Sequence, residues 1–339
     1  MEEQREGDLR EKEVSALRGF AAVLLVLVLL LVDACAGGEE APPPTATPIA
    51  TPEETLTPAP SPSTPEASLP LGRIAFDSRR DGNGEVYLLS PEGEQNLSNN
   101  PAEDLNPDLS PDGSMVAFAS DREGTFHIYV MNIDGSGLTK LTDEAVGDLF
   151  PKWSPDGRRI AFVRTGSLWV IDSDGTNVQQ VTKPKLGSAA PPCEGSASLG
   201  DWSPDGQQLT FHTSDPIRAI SQVCTINLDG SGLTVVASEP PGYHTEPAWS
   251  PDGEWIAYRF IEDNNHEIYI VRPDGASRTN LTNDPAVDIE PAWSPDGKWL
   301  VFVSHRHDDS DLYIMKGDGS DVARITTSPG KDSEPSWGP

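Results

Sequence analysis

The sequence predicts an all-β protein, a six-bladed β-propeller, and three observations lead there. The tetrapeptide Ser-Pro-Asp-Gly returns five times, at Ser110–Gly113, Ser154–Gly157, Ser203–Gly206, Ser250–Gly253 and Ser294–Gly297, at intervals of 44, 49, 47 and 44 residues. Each copy is followed by an apolar triplet: Val116-Ala117-Phe118, Ile160-Ala161-Phe162, Leu209-Thr210-Phe211, Ile256-Ala257-Tyr258 or Leu300-Val301-Phe302. A second turn, at Glu92-Gly93, Asp134-Gly135, Asp174-Gly175, Asp229-Gly230, Asp274-Gly275 and Asp318-Gly319, counts six units. A period in the forties with four short β segments is the pattern of a propeller blade.

Within a unit, strand A reads as Pro247-Ala248-Trp249, strand B as Trp255–Phe260, strand C as Glu267–Val271 and strand D as Thr279–Thr282. Proline pre-sets φ at the first turn corner, Asp tolerates the next, and Gly takes the left-handed position before strand B. The tryptophans before the turns, Trp153, Trp202, Trp249, Trp293 and Trp337, are large and apolar and are expected to pack between blades. Strand C carries Tyr87, Tyr129, Trp169, Tyr269 and Tyr313 at one register position, and Cys224 in the odd unit. The first unit, Leu71–Ser98, lacks a strand A, and Glu334–Trp337 is a strand A with nothing after it. The C-terminal strand is therefore expected to close the first blade and remove two free sheet edges.

The text Pro-x-Trp-Ser-Pro-Asp-Gly-x-x-Ile-Ala-Phe, followed by an Asp/Glu-Ile-Tyr strand and an Asp-Gly turn, resembles the TolB-type six-bladed propeller repeat. The resemblance covers about residues 71–339, with departures in blades three and four, where the Ser-x-Arg-x-Gly hairpin text is lost. It implies a propeller used for binding. The N-terminal α/β domain of TolB itself has no counterpart here, so a role in that system does not carry over. Some proteins with this repeat are serine peptidases whose propeller precedes an α/β-hydrolase domain. No Gly-x-Ser-x-Gly elbow occurs in this chain and no stretch after Trp337 remains for such a domain, so that activity is not expected.

The first 70 residues read differently from the rest. Phe20–Val32 is an unbroken apolar run of 13 residues, the length of a signal-peptide core and short of the about 20 needed to span a bilayer. It leads into Leu31-Val32-Asp33-Ala34-Cys35, which resembles a bacterial lipoprotein signal with Cys35 as the lipidated residue. Asp33 departs from that pattern, and an uncleaved anchor with an incidental cysteine is the alternative. Met1–Gly19 is acidic where a leader should be basic, and a start at Val14 or Leu17 would restore the pattern. Ala36–Pro70 holds ten prolines and six threonines, too little apolar surface for a core, and reads as a disordered spacer. The expected organisation is a signal segment over 1–35, a linker over 36–70 and the propeller over 71–339, held outside the cytoplasm at the cell envelope.

With Cys35 lipidated, Cys193 and Cys224 are left to pair as a disulfide. Two buried free thiols are the alternative. The net charge of −30 excludes nucleic acid and anionic membrane surfaces as partners. It favours cationic partners, and a monomer is expected.

Chain direction places the short A-to-B and C-to-D turns on one face and the variable B-to-C and D-to-A connections on the other, where recognition is expected. A repeated pair begins strand A on that face: Asp104 and Asn106, Asp148 and Phe150, His244 and Glu246, Asp288 and Glu290, Asp332 and Glu334. Of these, Asp104, Asp148, His244, Glu246, Asp288, Glu290, Asp332 and Glu334 are the candidate binding set, an acidic ring at the channel mouth, and such oxygens would suit a hard cation such as Ca²⁺. The plainer reading is that each Asp caps its loop and each Glu bonds strand amides. His305-Arg306-His307-Asp308-Asp309 lies on a hairpin tip without matching ligand spacing elsewhere, and no metal is expected there. The function read from the sequence is a non-catalytic, membrane-tethered binding or scaffold propeller for a protein, peptide or glycan of the envelope. The alternative is a propeller lyase or hydrolase acting on polysaccharide at the channel mouth, with His244 and the carboxylates as acid–base groups.

Overall fold

The apolar triplets after the Ser-Pro-Asp-Gly turns become the second strand of each sheet and the most buried part of the protein. This is the computed structural model of the chain, and it describes residues 72–182, 193, 195–215, 220–238, 242–307 and 309–339. The signal segment, the linker and Cys35 fall outside these residues, as do most of the 183–200 connection and Asp308. Among the described residues no helix is long and apolar enough to cross a membrane.

Six four-stranded antiparallel sheets form the blades. Blade one contains β1 (Arg73–Ser78), β2 (Glu85–Ser90) and β3 (Gly93–Asn96). Blade two runs β4 (Asp104–Leu109), β5 (Met115–Ser120), β6 (His127–Asn132), β7 (Thr139–Lys140). Blade three runs β8 (Asp148–Trp153), β9 (Arg159–Arg164), β10 (Ser167–Asp172), β11 (Gln179–Gln180). Blade four runs β12 (Ser196–Trp202), β13 (Gln208–Asp215), β14 (Ile220–Asn227), β15 (Thr234–Ala237). Blade five runs β16 (Tyr243–Trp249), β17 (Ile256–Glu262), β18 (Asn265–Val271), β19 (Thr279–Asn280), and blade six β20 (Asp288–Trp293), β21 (Trp299–Ser304), β22 (Asp311–Lys316), β23 (Ala323–Arg324). The last strand, β24 (Asp332–Gly338), pairs with β1 and supplies the inner strand of blade one, with Ile74 opposite Trp337 and Ala75 opposite Ser336.

Buried side chains gather in six clusters, one at each interface between neighbouring blades. Trp153 packs with Ala117, Ala119 and Val130 of the preceding blade, and Trp337 with Val301, Val303 and Ile314 of blade six. The tryptophans are core residues. Each Ser-Pro-Asp-Gly turn is locked in the same way: the Ser110 hydroxyl donates to Asp112 at 2.6 Å and accepts the Met115 amide at 2.9 Å. Gly113 sits at φ +66°, a conformation that favours glycine.

Blade four differs in its fastening. A disulfide joins Cys193 to Cys224 with a Cα–Cα distance of 6.3 Å, and the Cys193 amide donates to Gln222 at 2.8 Å. The two cysteines are 31 residues apart, so the bond ties the connection entering blade four to its third strand.

Truncation before Asp332 removes β24 and leaves β1 and the blade-six interface uncovered. The shortened chain is expected to melt more than about 10 °C below the full chain, followed by circular dichroism. Reduction is expected to cost about 3–4 kcal/mol from the loop-closure entropy alone. The Cys193→Ser, Cys224→Ser double variant should unfold in urea like the reduced wild type.

Candidate functional site

Each inner strand carries a bulge against strand B, between Leu105 and Asp108, Leu149 and Lys152, Leu199 and Trp202, Thr245 and Ala248, Ile289 and Ala292, and at Ala75–Asp77 opposite β24. In five blades the bulged residue has a positive φ: Asn106 at 53°, Phe150 at 54°, Glu246 at 52°, Glu290 at 55° and Glu334 at 50°. All five precede a proline, where the extended region is preferred. Each such residue holds strain of about 1–3 kcal/mol, which persists because the closed ring over-determines it. Blade four has Leu199-Gly200 instead, and Leu199 is not left-handed.

Of these residues Phe150, Glu246, Glu290 and Glu334 line a cavity of about 400 Å³ in the channel. Asp108, Lys152, Asp201 and His212 line it as well. Its other end is walled by Pro111, Pro155, Pro204, Pro251, Pro295 and Pro339, beside the five tryptophans. Those prolines belong to the short A-to-B turns or their equivalent, so this cavity reaches the face opposite the variable loops.

The channel side chains bind the backbone of the next blade. The Glu246 amide donates to His212 Nδ1 at 3.2 Å, the Glu290 amide to Glu246 at 2.9 Å, the Glu334 amide to Glu290 at 2.6 Å and the Asn106 amide to Asp77 at 3.0 Å. A second tier repeats the device: Leu109 donates to Ser336 at 3.1 Å, Trp153 to Asp108 at 2.7 Å and Trp249 to Asp201 at 3.4 Å. Lys152 lies between the two aspartates of this tier and bonds Asp108 at 3.3 Å.

The acidic ring expected at the mouth divides into two sets. Asp104, Asp148, Asp288 and Asp332 are fully buried and do not line the cavity. Each is clasped by an arginine of its own blade: Arg122 at 3.0 Å, Arg164 at 2.7 and 2.8 Å, Arg306 at 2.8 Å and Arg80 at 2.8 Å. The guanidinium also lies on the blade's aromatic pair, as Arg122 does over Phe118 at 5.4 Å and Tyr129 at 4.7 Å. His244 is buried as well, its ring 5.5 Å from Tyr258 and 5.0 Å from Phe260, and it does not line the cavity. The acid–base role read for His244 at the channel mouth therefore lacks the geometry it needs. Of the candidate set, Glu246, Glu290 and Glu334 reach the cavity.

Sequence reasoning missed Asp77, Asp108, Lys152, Asp201, His212, Arg259 and His266. A signal was present: aligned repeats carry Ala119, Val163 and Val303 where Asp77, His212 and Arg259 stand, and Ala248 and Ala292 where Asp108, Lys152 and Asp201 stand. A charge in a slot that neighbouring blades fill with an apolar residue marks the channel. Arg259 bonds Glu246 at 2.6 Å and His266 at 2.7 Å, so a cluster of two imidazoles, a guanidinium and a carboxylate forms from four strands.

Burial sets the charge states. It pushes Asp77 up to about 6 and Asp201 up to about 7, with nearby carboxylates adding to it. Burial, then the charges of Asp77 and Glu246, push Glu334 up to about 8, and Glu290 is raised by burial and by both flanking glutamates. Burial also opposes the charge of Glu246, but Arg259 outweighs it and holds that carboxyl below the usual range. Burial lowers His212 and His266 to about 4, keeping both neutral. Lys152 stays above the usual lysine value because Asp108 and Asp201 outweigh its burial. Among the described residues no three His, Cys, Asp or Glu side chains form a group that would hold a metal ion.

The family model for the TolB beta propeller domain matches residues 51–167 and 164–339. The chain belongs to the TolB β-propeller domain family. An uncharacterized protein of Agrobacterium fabrum is 29% identical over 194 residues, covering 52% of this chain and 62% of that protein. The uncharacterized peptidase YuxL of Bacillus subtilis is 28% identical over 192 residues, 49% of this chain and 24% of the peptidase. The aligned stretch thus spans less than two thirds of either relative. TolB from Acinetobacter baumannii superposes with a TM-score of 0.65 at 19% identity, covering 78% of this chain and 66% of that one. An oligogalacturonate lyase in complex with manganese gives a TM-score of 0.50 at 18% identity over 75% of this chain and 74% of the lyase. Likeness at such identities shows the shared propeller. Membership of the TolB propeller family supports a binding or scaffold role in general.

The raised carboxyls predict how this TolB-family propeller responds to pH. A carboxyl whose folded pKa exceeds its unfolded value contributes most stability below the unfolded pKa and loses it as pH rises through the folded one. Asp201, raised from 3.8 to about 7, should make the wild type lose about 2–3 kcal/mol between pH 5 and pH 8. Asp201→Asn should flatten that part of the profile, measured by urea unfolding at the two pH values.

Proposed function

We propose that this chain is a non-catalytic binding propeller of the extracytoplasmic envelope, tethered by its N-terminal segment, with Cys35 as the lipidated residue. It holds a protein, peptide or glycan partner at the channel and works as a monomer, without nucleic acid and without a resident cofactor. The observation that carries this reading is the axial cavity of about 400 Å³, walled by prolines and tryptophans on a frame that the inter-blade bonds hold rigid. A preformed recess that sets placed polar groups against apolar walls is the usual form of a binding site. The export reading draws on the apolar run before Cys35 and on the Cys193–Cys224 bond, which an oxidising compartment maintains.

A second reading is favoured by the His212, Glu246, Arg259 and His266 cluster: a lyase or hydrolase acting on polysaccharide. Most of these groups already bond one another or a neighbouring amide, which leaves little for a substrate.

Photo-crosslinking tests the binding reading in the full-length chain. A benzophenone side chain at Pro155, on the cavity wall, should capture a discrete partner from envelope extract, while one at Val178, 46% exposed on a C-to-D turn, should not. Equal capture at both positions, or none at either, counts against the channel as the site. Release of unsaturated or reducing sugar ends from envelope polysaccharide would favour the catalytic reading instead.

A further inference from the structure

The amide relay among the channel glutamates stops at Glu334. His212 accepts the Glu246 amide, Glu246 the Glu290 amide and Glu290 the Glu334 amide. Continued round the ring, Glu334 would accept the amide of the next bulge, at Asn106. Asp77 accepts that amide instead, and its second oxygen takes the Ser333 hydroxyl. Among the described residues, no hydrogen bond or ion pair engages the Glu334 carboxyl.

We infer that Glu334 is the docking point for a ligand bearing a primary ammonium or guanidinium group on an aliphatic stem. This rests on the binding reading above and names its ligand chemistry. Glu334 faces Asp77 from β1, Glu246 from β16, Glu290 from β20 and Lys152 from β8. Lys152 bonds Asp108 and Arg259 bonds Glu246, so among the described residues Lys152 acts on Glu334 only through its field and forms no ion pair with it. The wall therefore presents one unengaged carboxyl, Glu334, beside Asp108, Asp201, Glu246 and Glu290, with Lys152 as the basic side chain among the described lining residues. An ammonium or guanidinium can ionise Glu334 and pair with it in a site of low dielectric, which a uronate or any other anion cannot do.

The shape agrees with the charge. The cavity runs from the proline ring past the tryptophans to the glutamates, so an aliphatic stem would lie against apolar walls while its charged end reaches Glu334. A volume of about 400 Å³ takes a single extended chain. Burial among like charges holds Glu334 protonated at neutral pH, with a value of about 8. An arriving cation reverses that preference, so binding releases a proton from the carboxyl to solvent.

Isothermal titration of the full-length chain tests this with two carriers of the head group, 1,4-diaminobutane and a doubly blocked Ala-Lys-Ala peptide. Butan-1-ol and butyrate serve as the uncharged and anionic controls. Saturable binding of either amine is expected at pH 7, with a heat that depends on the buffer's ionisation enthalpy and an affinity that rises between pH 6 and pH 8. The tighter carrier tells a free amine from a lysine side chain. Glu334→Gln should keep the wild-type fold, lose at least about tenfold in affinity and lose the proton release. If that variant does not fold, proton release by the wild type decides alone. Butyrate binding as tightly as the amines, unchanged affinity in the variant, or amine binding without proton release overturns the inference. Absence of amine binding while the Pro155 crosslink persists sinks this ligand class and leaves the binding propeller standing. Absence of both sinks both.

Discussion

Everything in this propeller depends on where the inner strands' spare amides go. A bulge leaves one backbone N–H without a ladder partner, and around the channel these groups face inward, away from bulk water. The chain answers with side chains from the preceding blade: His212, Glu246, Glu290 and Asp77 each accept a bulge amide, while Asp108, Asp201 and Ser336 accept amides one tier along. The inner rim is therefore joined largely by hydrogen bonds to carboxyl oxygens, and one to an ionised carboxylate such as Glu246 is stronger than a bond between neutral groups. The body of each interface is joined by apolar packing. The acidity of the channel follows from this joinery before any ligand is considered.

The blades solve a second problem in two chemically distinct ways. Strand A must be held against the hairpin between strands B and C. In blades one, two, three and six a buried aspartate and an aromatic-stacked arginine do this within one sheet. Breaking such a pair would leave an uncompensated buried charge, which costs about 3–5 kcal/mol. Blade five replaces the aspartate with His244 among aromatics, and Arg278 stacks on Phe260 at 4.1 Å and on Tyr269 at 4.5 Å. Blade four has neither the acid nor the strand-C aromatic, and there the Cys193–Cys224 bond does the fastening. Cys224 in an aromatic slot is thus part of a substitution of one fastener for another.

The fold was legible because it repeats. The Ser-Pro-Asp-Gly spacing, the strand-C aromatic and the orphan strand at Glu334–Trp337 located the blades, their count and the closing partner of β1. The site was only half legible, because a channel is made where the repeat departs from itself. Asp104 and Asp288 recur and so drew attention, yet recurrence there reflects the arginine clasp inside each blade. Lys152 and His212 each occur once at their slot, Asp108 and Asp201 share a slot that other blades fill with Lys, Ala or Ser, and only their neighbours across the axis give them meaning. The bulge added a further difficulty. Strict alternation of side chains along strand A does not show that Glu290 turns into the channel, because the turn depends on a left-handed residue before proline.

Closure by β24 also gives the molecule a history. Ile74 and Trp337 face each other across the whole length of the propeller sequence, so the contact that completes the ring is among the last that a growing chain can make. Contacts of such sequence separation are slow to form, because loop entropy is spent before they return any stability. Until then blades one and six each keep an open edge, ready to pair with a strand from any neighbouring molecule. A protein of this design is most exposed to misassembly in the interval between its first blade and its last strand. The strong negative charge of the chain, which keeps like molecules apart, guards that interval.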